Sequence, residues 1–371
     1  MSRRLILPLF AAAGFTAAAS IASAAGPECK LVRIAEWPVE VTANALIVDG
    51  AIDGQKVGVM LDTGAGSTLI LRSAATRLGL RRSALSNYRQ FGIAEGTEVE
   101  VAYIDEFKVG QAARYNWQMF VAGEYDLGGT VGVILGDDFL HKADIEFDLA
   151  HNKVRLFQPK DCEKASLAYW ATDGTASAVP IEPVDETRPQ IVVTVQVNGR
   201  PIKALLDSGA TNSVLDKWEA GKAGVALDAP GVTAVNAART GPPTSGSAPI
   251  QTFVIGDEMI RDTALSIADL YKEATYTPFG SRVPKNVDEM QPMLLGADFL
   301  RAHRVLVSHS QKKMYFTYVG GPVFRAPAAQ ATTAKSAEPS GQSAKSSQTP
   351  GKTTKAADAP AKAARPFDYK P

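Results

Sequence analysis

Two aspartates stand in matching surroundings 145 residues apart. Asp62 ends the apolar stretch Val57 to Leu61 and is followed by Thr63-Gly64-Ala65; Asp207 ends Ile202 to Leu206 and is followed by Ser208-Gly209-Ala210. A carboxylate after an apolar strand, with a hydroxyl residue and a glycine directly behind it, suits a tight loop in which backbone amides hydrogen-bond to the acid. Glycine there removes the steric bar to close approach. One such loop is also an ordinary strand-ending turn. Two at equivalent positions of a duplicated unit predict a pair of carboxyls brought together about a pseudo-twofold axis. Like charges a few ångströms apart cannot both ionise cheaply, so the pair would share one proton and titrate as a unit. The ionised member can take a proton from a bound water as it attacks a peptide carbonyl, while the protonated member hydrogen-bonds to the carbonyl oxygen. That chemistry requires no metal, no cofactor and no covalent intermediate.

The elements that must position these acids recur with them. In each copy an apolar strand meets a hairpin dipeptide, Asp53-Gly54 or Asn198-Gly199, and the aspartate comes nine residues after the first residue of that turn. An apolar strand follows (Leu69 to Leu71, Val214 to Leu215), then a short helical stretch that ends at Gly79 or Gly224, seventeen positions past the aspartate. Later each copy runs through apolar residues into glycine and then Asp-Phe-Leu, as Val133-Ile134-Leu135-Gly136-Asp137-Asp138-Phe139-Leu140 and Met293-Leu294-Leu295-Gly296-Ala297-Asp298-Phe299-Leu300. A terminal strand pair closes both. The pattern predicts two β-rich domains with very little helix.

Composition excludes other chemistries. The 371 residues carry 39 acidic and 39 basic side chains, two cysteines and four histidines, too few soft ligands for a zinc ribbon or an iron-sulfur site. The zero balance gives no reason for a nucleic-acid partner. It hides an uneven distribution: with the +2 of Arg3 and Arg4 and the +4 of residues 326–371 set aside, the core carries −6. Arg3 and Arg4, the apolar run Leu5 to Ala19 and the site Ala22-Ser23-Ala24 have the pattern of a secretory signal peptide over residues 1–24. The mature chain is then exported, periplasmic or secreted, with no transmembrane segment. Oxidising compartments retain disulfides, and Cys29 and Cys162 are the only thiols, so a Cys29–Cys162 bridge is expected. Residues 326–371, rich in Ala, Ser, Thr, Pro and Lys, offer too little apolar surface to offset their ordering entropy and read as a disordered tail. The domain reading is 25–165, a linker at 166–187 broken by Asp173-Gly174, Pro180 and Pro183, and 188–325.

The motifs Asp62-Thr63-Gly64-Ala65 and Asp207-Ser208-Gly209-Ala210 make the chain resemble an aspartic peptidase of the retropepsin and pepsin type, in the tandem-repeat form found among exported bacterial proteins. The likeness runs from about Leu46 to Tyr318. It implies an all-β fold of two acid-protease barrel lobes related by pseudo-twofold symmetry, an endopeptidase activity on extended polypeptide, and Asp62 and Asp207 as the catalytic pair. It implies that the Thr63 and Ser208 hydroxyls interlock the two loops, and that Leu135-Gly136 and Leu295-Gly296 pack against them. A flap is implied as well, with candidates at Tyr88 to Val99 (Gly92, Gly96) and Asn236 to Ser247 (Gly241, Gly246). Two prolines stiffen the second, which favours one main flap.

Two alternatives stay open at this point. A chain of this shape can bind extended peptides by strand addition without cutting them, and each copy can pair with the same copy of a second chain instead of with its neighbour. The short linker and the unequal copies favour pairing within one chain. Trp37, Trp117, Trp170 and Trp218 read as core or hinge packing, and the four histidines show no metal or triad spacing.

Overall fold

The computed structural model describes residues 28–42, 45–90, 97–123, 127–128, 130–183, 190–225, 244–270, 275–276, 285–286, 291–324 and 367–368. The chain enters through β1 (Lys30–Pro38) and β2 (Glu40–Thr42). The first lobe follows with β3 (Ala45–Ile52), β4 (Gln55–Leu61), β5 (Leu69–Leu71), helix α1 (Arg72–Arg77), β6 (Arg82–Gln90), β7 (Thr97–Val109), β8 (Ala112–Ala122), β9 (Val131–Leu135) and helix α2 (Asp137–Leu140), then β10 (Asp144–Asp148) and β11 (Lys153–Lys160). The second lobe has β12 (Ser177–Pro180), β13 (Val192–Val197), β14 (Arg200–Leu206), β15 (Val214–Asp216), helix α3 (Lys217–Lys222), β16 (Thr244–Ile255), β17 (Glu258–Ala268), the short pair β18 (Thr275–Tyr276) and β19 (Lys285–Asn286), β20 (Met293–Leu295), helix α4 (Ala297–Ala302), β21 (His303–Ser308) and β22 (Lys313–Tyr318).

Local chemistry explains the turns and stops. Asp53-Gly54 and Asn198-Gly199 take positive φ at both positions, 49° and 78° in the first and 49° and 79° in the second. This two-residue turn follows the right-handed strand twist and joins β3 to β4 and β13 to β14. Each turn is braced from the side: Asp53 Oδ1 accepts from the Glu106 amide at 2.8 Å, and Asn198 Oδ1 from the Gln251 amide at 2.9 Å. Helices α1 and α3 both end at a left-handed glycine, Gly79 (φ 64°) and Gly224 (φ 72°). The following amides reach back to Ala75 O and Ala220 O at 3.0 and 2.9 Å, which satisfies carbonyls the helix leaves open.

Each lobe closes into a six-stranded barrel. The first runs β3-β4-β9-β5-β8-β7, with β7 paired back onto β3; the second runs β13-β14-β20-β15-β17-β16, with β16 paired back onto β13. The two orders correspond strand for strand. In both, the strand that carries the apolar run into glycine lies parallel to the strand that delivers the aspartate. Neighbours cover both faces there, so every residue of β9 and β20 is buried and the sequence reads as an unbroken apolar run.

A third sheet joins the lobes in the order β1-β11-β10-β21-β22-β12, with β10 and β21 meeting antiparallel at its centre. Its β12 falls within the stretch read as a linker. The prolines do not break it, because β12 is an edge strand that ends on Pro180. At the seam Glu146, fully buried, holds Arg155 of its own lobe at 3.1 Å and Arg304 of the other at 2.5 Å, and accepts from the Tyr169 hydroxyl at 2.8 Å. Of the tryptophans, Trp37 is buried in the core, whereas Trp218 is 72% exposed on α3 with the Lys222 ammonium over its ring, contrary to the packing role expected for it.

Cys29 and Cys162 form the expected disulfide, pinning the start of β1 beside the end of β11. The closed loop spans 133 residues, and the chain-entropy argument assigns it up to about 5 kcal/mol. The Cys29→Ser/Cys162→Ser variant is expected to lose about 4 kcal/mol in urea denaturation; an unchanged midpoint would show the bridge to be inert. Among the described residues no helix is long and apolar enough to cross a membrane. The signal-like segment 1–24 lies outside the described residues. So does the tail, except that Phe367–Asp368 pairs in parallel with Ala112–Ala113 of β8 as a last short strand, β23.

Candidate active site

Strands β4 and β14 end against each other, and each hands its chain to a loop that begins with an aspartate. The first loop is held from behind by the Asp62 amide donating to Leu135 O at 3.0 Å, the second by the Asp207 amide donating to Leu295 O at 2.9 Å. Within each loop two amides converge on one carboxyl oxygen: Gly64 and Ala65 donate to Asp62 Oδ1 at 2.9 and 3.0 Å, and Gly209 and Ala210 to Asp207 Oδ1 at 2.9 and 3.0 Å. This fixes each carboxyl plane and sets both of its oxygens against the glycine of the partner loop.

The loops interlock through their hydroxyl residues. Thr63 Oγ1 donates to Leu206 O at 2.6 Å and accepts from the Ser208 amide at 3.0 Å; Ser208 Oγ donates to Leu61 O at 2.9 Å and accepts from the Thr63 amide at 3.0 Å. Both side chains are buried. Removing either hydroxyl strands a buried carbonyl and a buried amide on the opposite lobe, at about 1–3 kcal/mol per group. Thr63→Val and Ser208→Ala are therefore each expected to cost about 2–4 kcal/mol in urea denaturation. The double variant is expected to cost less than the sum, because the two hydroxyls serve one network; strict additivity would show that they act apart.

The carboxyls face one another across this grip. A Cβ placed on Gly64 would lie 2.5 Å from Asp207 Cγ, and one placed on Gly209 would run into the Asp62 carboxyl in the same way. Each acid thus occupies the space that the other loop's glycine leaves empty, and the two side chains are close enough to hydrogen-bond. Burial raises Asp62, helped by the Asp207 charge, well above the usual carboxylate range; burial also raises Asp207, against the pull of the Ala210 and Gly209 amides. Asp207 is 7% exposed and Asp62 somewhat more. An arrangement of this kind holds one proton between two acids and keeps an ionised oxygen beside a protonated one.

Behind the loops lie the two apolar-glycine segments, and with them a layer of hydroxyls and carboxyls for which the sequence suggested no role. Gly136 and Gly296 pack so tightly that a Cβ on either would sit 2.6 Å from the Ser67 carbonyl carbon or 2.5 Å from that of Asn212. The Gly136 amide donates to Thr68 Oγ1 at 3.1 Å and the Gly296 amide to Ser213 Oγ at 2.9 Å. Those hydroxyls donate in turn to Asp138 and Asp298, both at 2.6 Å. Burial pushes the Asp298 carboxyl up to about 6. The signal for this layer was present as a hydroxyl six residues past each aspartate and an aspartate two past each glycine.

The flap candidates fare unevenly. Strands β6 and β7 form a hairpin paired as far as Gln90 and Thr97, with its tip and both Gly92 and Gly96 outside the described residues. An ion cluster of Arg72, Glu100 and Arg82 ties the base of this hairpin to α1. In the second lobe Gly241 lies outside the described residues, and Gly246 is buried inside β16 opposite Ile267, at a bulge and not at a turn. No group of His, Cys, Asp and Glu able to hold a metal occurs among the described residues.

Comparison with known proteins follows the same division. Residues 48–142 match the family model described as the gag-polyprotein aspartyl protease, and residues 193–299 match the model described as aspartyl protease. No curated protein matches. Among solved structures, the aspartic proteinase from Irpex lacteus resembles 76% of this chain and 97% of its own, at 12% identity and a TM-score of 0.46. The two family matches together take in more than half of the 371 residues, one in each barrel, and the chain belongs to the aspartyl protease family.

Proposed function

We propose that the protein is an aspartic endopeptidase that hydrolyses extended polypeptides in the cell envelope or outside it, with Asp62 and Asp207 as its catalytic pair. One observation carries the reading: each carboxyl is lodged against the opposite loop's glycine, amide-braced on one oxygen and turned toward the other acid. A water held between them gives its proton to the ionised carboxylate as it attacks the scissile carbonyl. The other acid supplies a hydrogen bond to the carbonyl oxygen, and collapse of the resulting diol returns a proton to the leaving amine. Preorganisation is the chief contribution, because the grip fixes both acids before substrate arrives. The substrate enters as a strand between the lobes, under the β6–β7 hairpin.

Both members of the pair come from one chain in this reading. Export is supported by the disulfide, which persists in oxidising compartments. Incubating the pure protein with a random peptide library at several pH values tests the assignment. Cleavage that disappears in the Asp207→Asn protein supports it. Intact peptides that nevertheless co-purify with the wild type would favour a binding module instead.

A further inference from the structure

Helix α2 carries a group that the chemistry above does not use. Asp137 is 2% exposed, and among the described residues neither of its carboxyl oxygens has a hydrogen-bond partner. The second lobe has Ala297 at the same place. Both residues make the same backbone contact to an active loop: the Asp137 amide donates to Ala65 O at 2.7 Å, and the Ala297 amide to Ala210 O at 2.8 Å. A methyl side chain is therefore enough for that contact. The carboxyl is an addition, and a buried polar group without partners is one that folding alone would remove.

No described residue around it offsets a charge. Asp138, beside it, is committed to Thr68. His141, one turn on, uses Nδ1 on the Asp137 carbonyl oxygen. His309, from the β21–β22 turn, packs edge-on against His141, and burial with the His141 charge pushes it down to about 4. Asp62 lies beyond Ala65, whose amide donates to its Oδ1 at 3.0 Å.

Building on the aspartic-peptidase reading, we propose that Asp137 is a positioning residue that works as a proton-operated latch on the Asp62 loop. With the carboxyl neutral, the first turn of α2 stays shut against Ala65. Once it ionises, the buried charge draws in water, opens that turn and withdraws the support behind Asp62. Burial, reinforced by the Asp138 charge, pushes the Asp137 carboxyl up to about 8, against 3.8 for a free aspartate. The direction of the effect follows. Below the free value the group is neutral in both states and adds no pH dependence. Between the two values the unfolded chain releases the proton while the folded chain keeps it, so stability falls as pH rises, and above about 8 the loss is complete.

The test compares Asp137→Ala and Asp137→Asn with the wild type from pH 5 to pH 9. On one peptide, the ratio of kcat/KM of each variant to that of the wild type cancels the titration of the catalytic pair. It is expected to be level to about pH 7 and to rise about tenfold by pH 9, as a group with a value near 8 becomes ten-elevenths ionised in the wild type. In thermal melts, the gap between each variant and the wild type is expected to widen by roughly 5 °C or more between pH 5 and pH 8. A level ratio with a constant melting gap, in whichever variant folds, overturns the latch. Absence of cleavage by the wild type at every pH counts against the peptidase reading, and the melting gap then decides the latch by itself.

Discussion

Asp62→Asn is expected to lower kcat/KM for peptide cleavage at least 10³-fold, and Asp207→Asn to do the same, while the double variant is hardly worse than either. Removing one acid takes away either the group that accepts the water's proton or the one that polarises the carbonyl, each worth about 10²–10⁴-fold. Because the pair acts as a unit, losses do not multiply. The same variants are expected to gain stability at neutral pH. Burial raises both folded-state values above the free aspartate value, so the wild type loses stability as pH rises from about 3.8. An amide in place of either acid removes part of that loss. Activity therefore falls while the urea midpoint at pH 7 rises. The pH profile of the wild type is expected to be bell-shaped, with its alkaline limb above the ordinary carboxylate range because burial holds the shared proton. A variant that keeps a tenth of the activity, or one that loses activity by unfolding, would contradict this assignment.

Glu146→Ala is expected to destabilise the fold by about 2–3 kcal/mol, since it opens a cavity and takes a buried carboxylate from both Arg155 and Arg304, leaving them Asp148 to share. The effect should not remain local. Arg155 and Arg304 come from different lobes, and Glu146 sits where β10 meets β21, so losing it loosens the seam on which the meeting of the two active loops depends. Glu146→Gln keeps the shape and the Tyr169 contact but not the charge, and is expected to fall between wild type and alanine. Urea denaturation and kcat/KM measured on the same preparations check this; a midpoint shift below about 1 kcal/mol would show the cluster to be a surface-grade ion pair.

Much of the site was legible because its signals are local and occur twice. Asp53-Gly54 and Asn198-Gly199 specify a turn by their own φ preferences, Gly79 and Gly224 stop helices for the same reason, and two cysteines leave one pairing. What stayed hidden depends on distant partners. Asp144-Ile145-Glu146-Phe147-Asp148 alternates like a half-exposed strand, yet all five residues are buried, because cations and hydroxyls from other elements receive the acids. Strand β12 was lost in a proline-rich linker because only its pairing with β22 makes it a strand. Asp137 reads as one more helix-starting acid, and only burial distinguishes it.

The seam between the lobes also determines who can join whom. On β10 the face turned away from the main core is acid throughout, with Asp144, Glu146 and Asp148, and beside it β21 offers Arg304, Leu306 and Ser308. Were two first lobes to meet in the same register, Glu146 would confront its own copy and Asp144 would confront Asp148, six buried acids with only the two Arg155 guanidiniums among them and no Arg304. A first lobe joined to its own copy would thus keep a surplus of enclosed negative charge, which the guanidinium brought by the other half offsets.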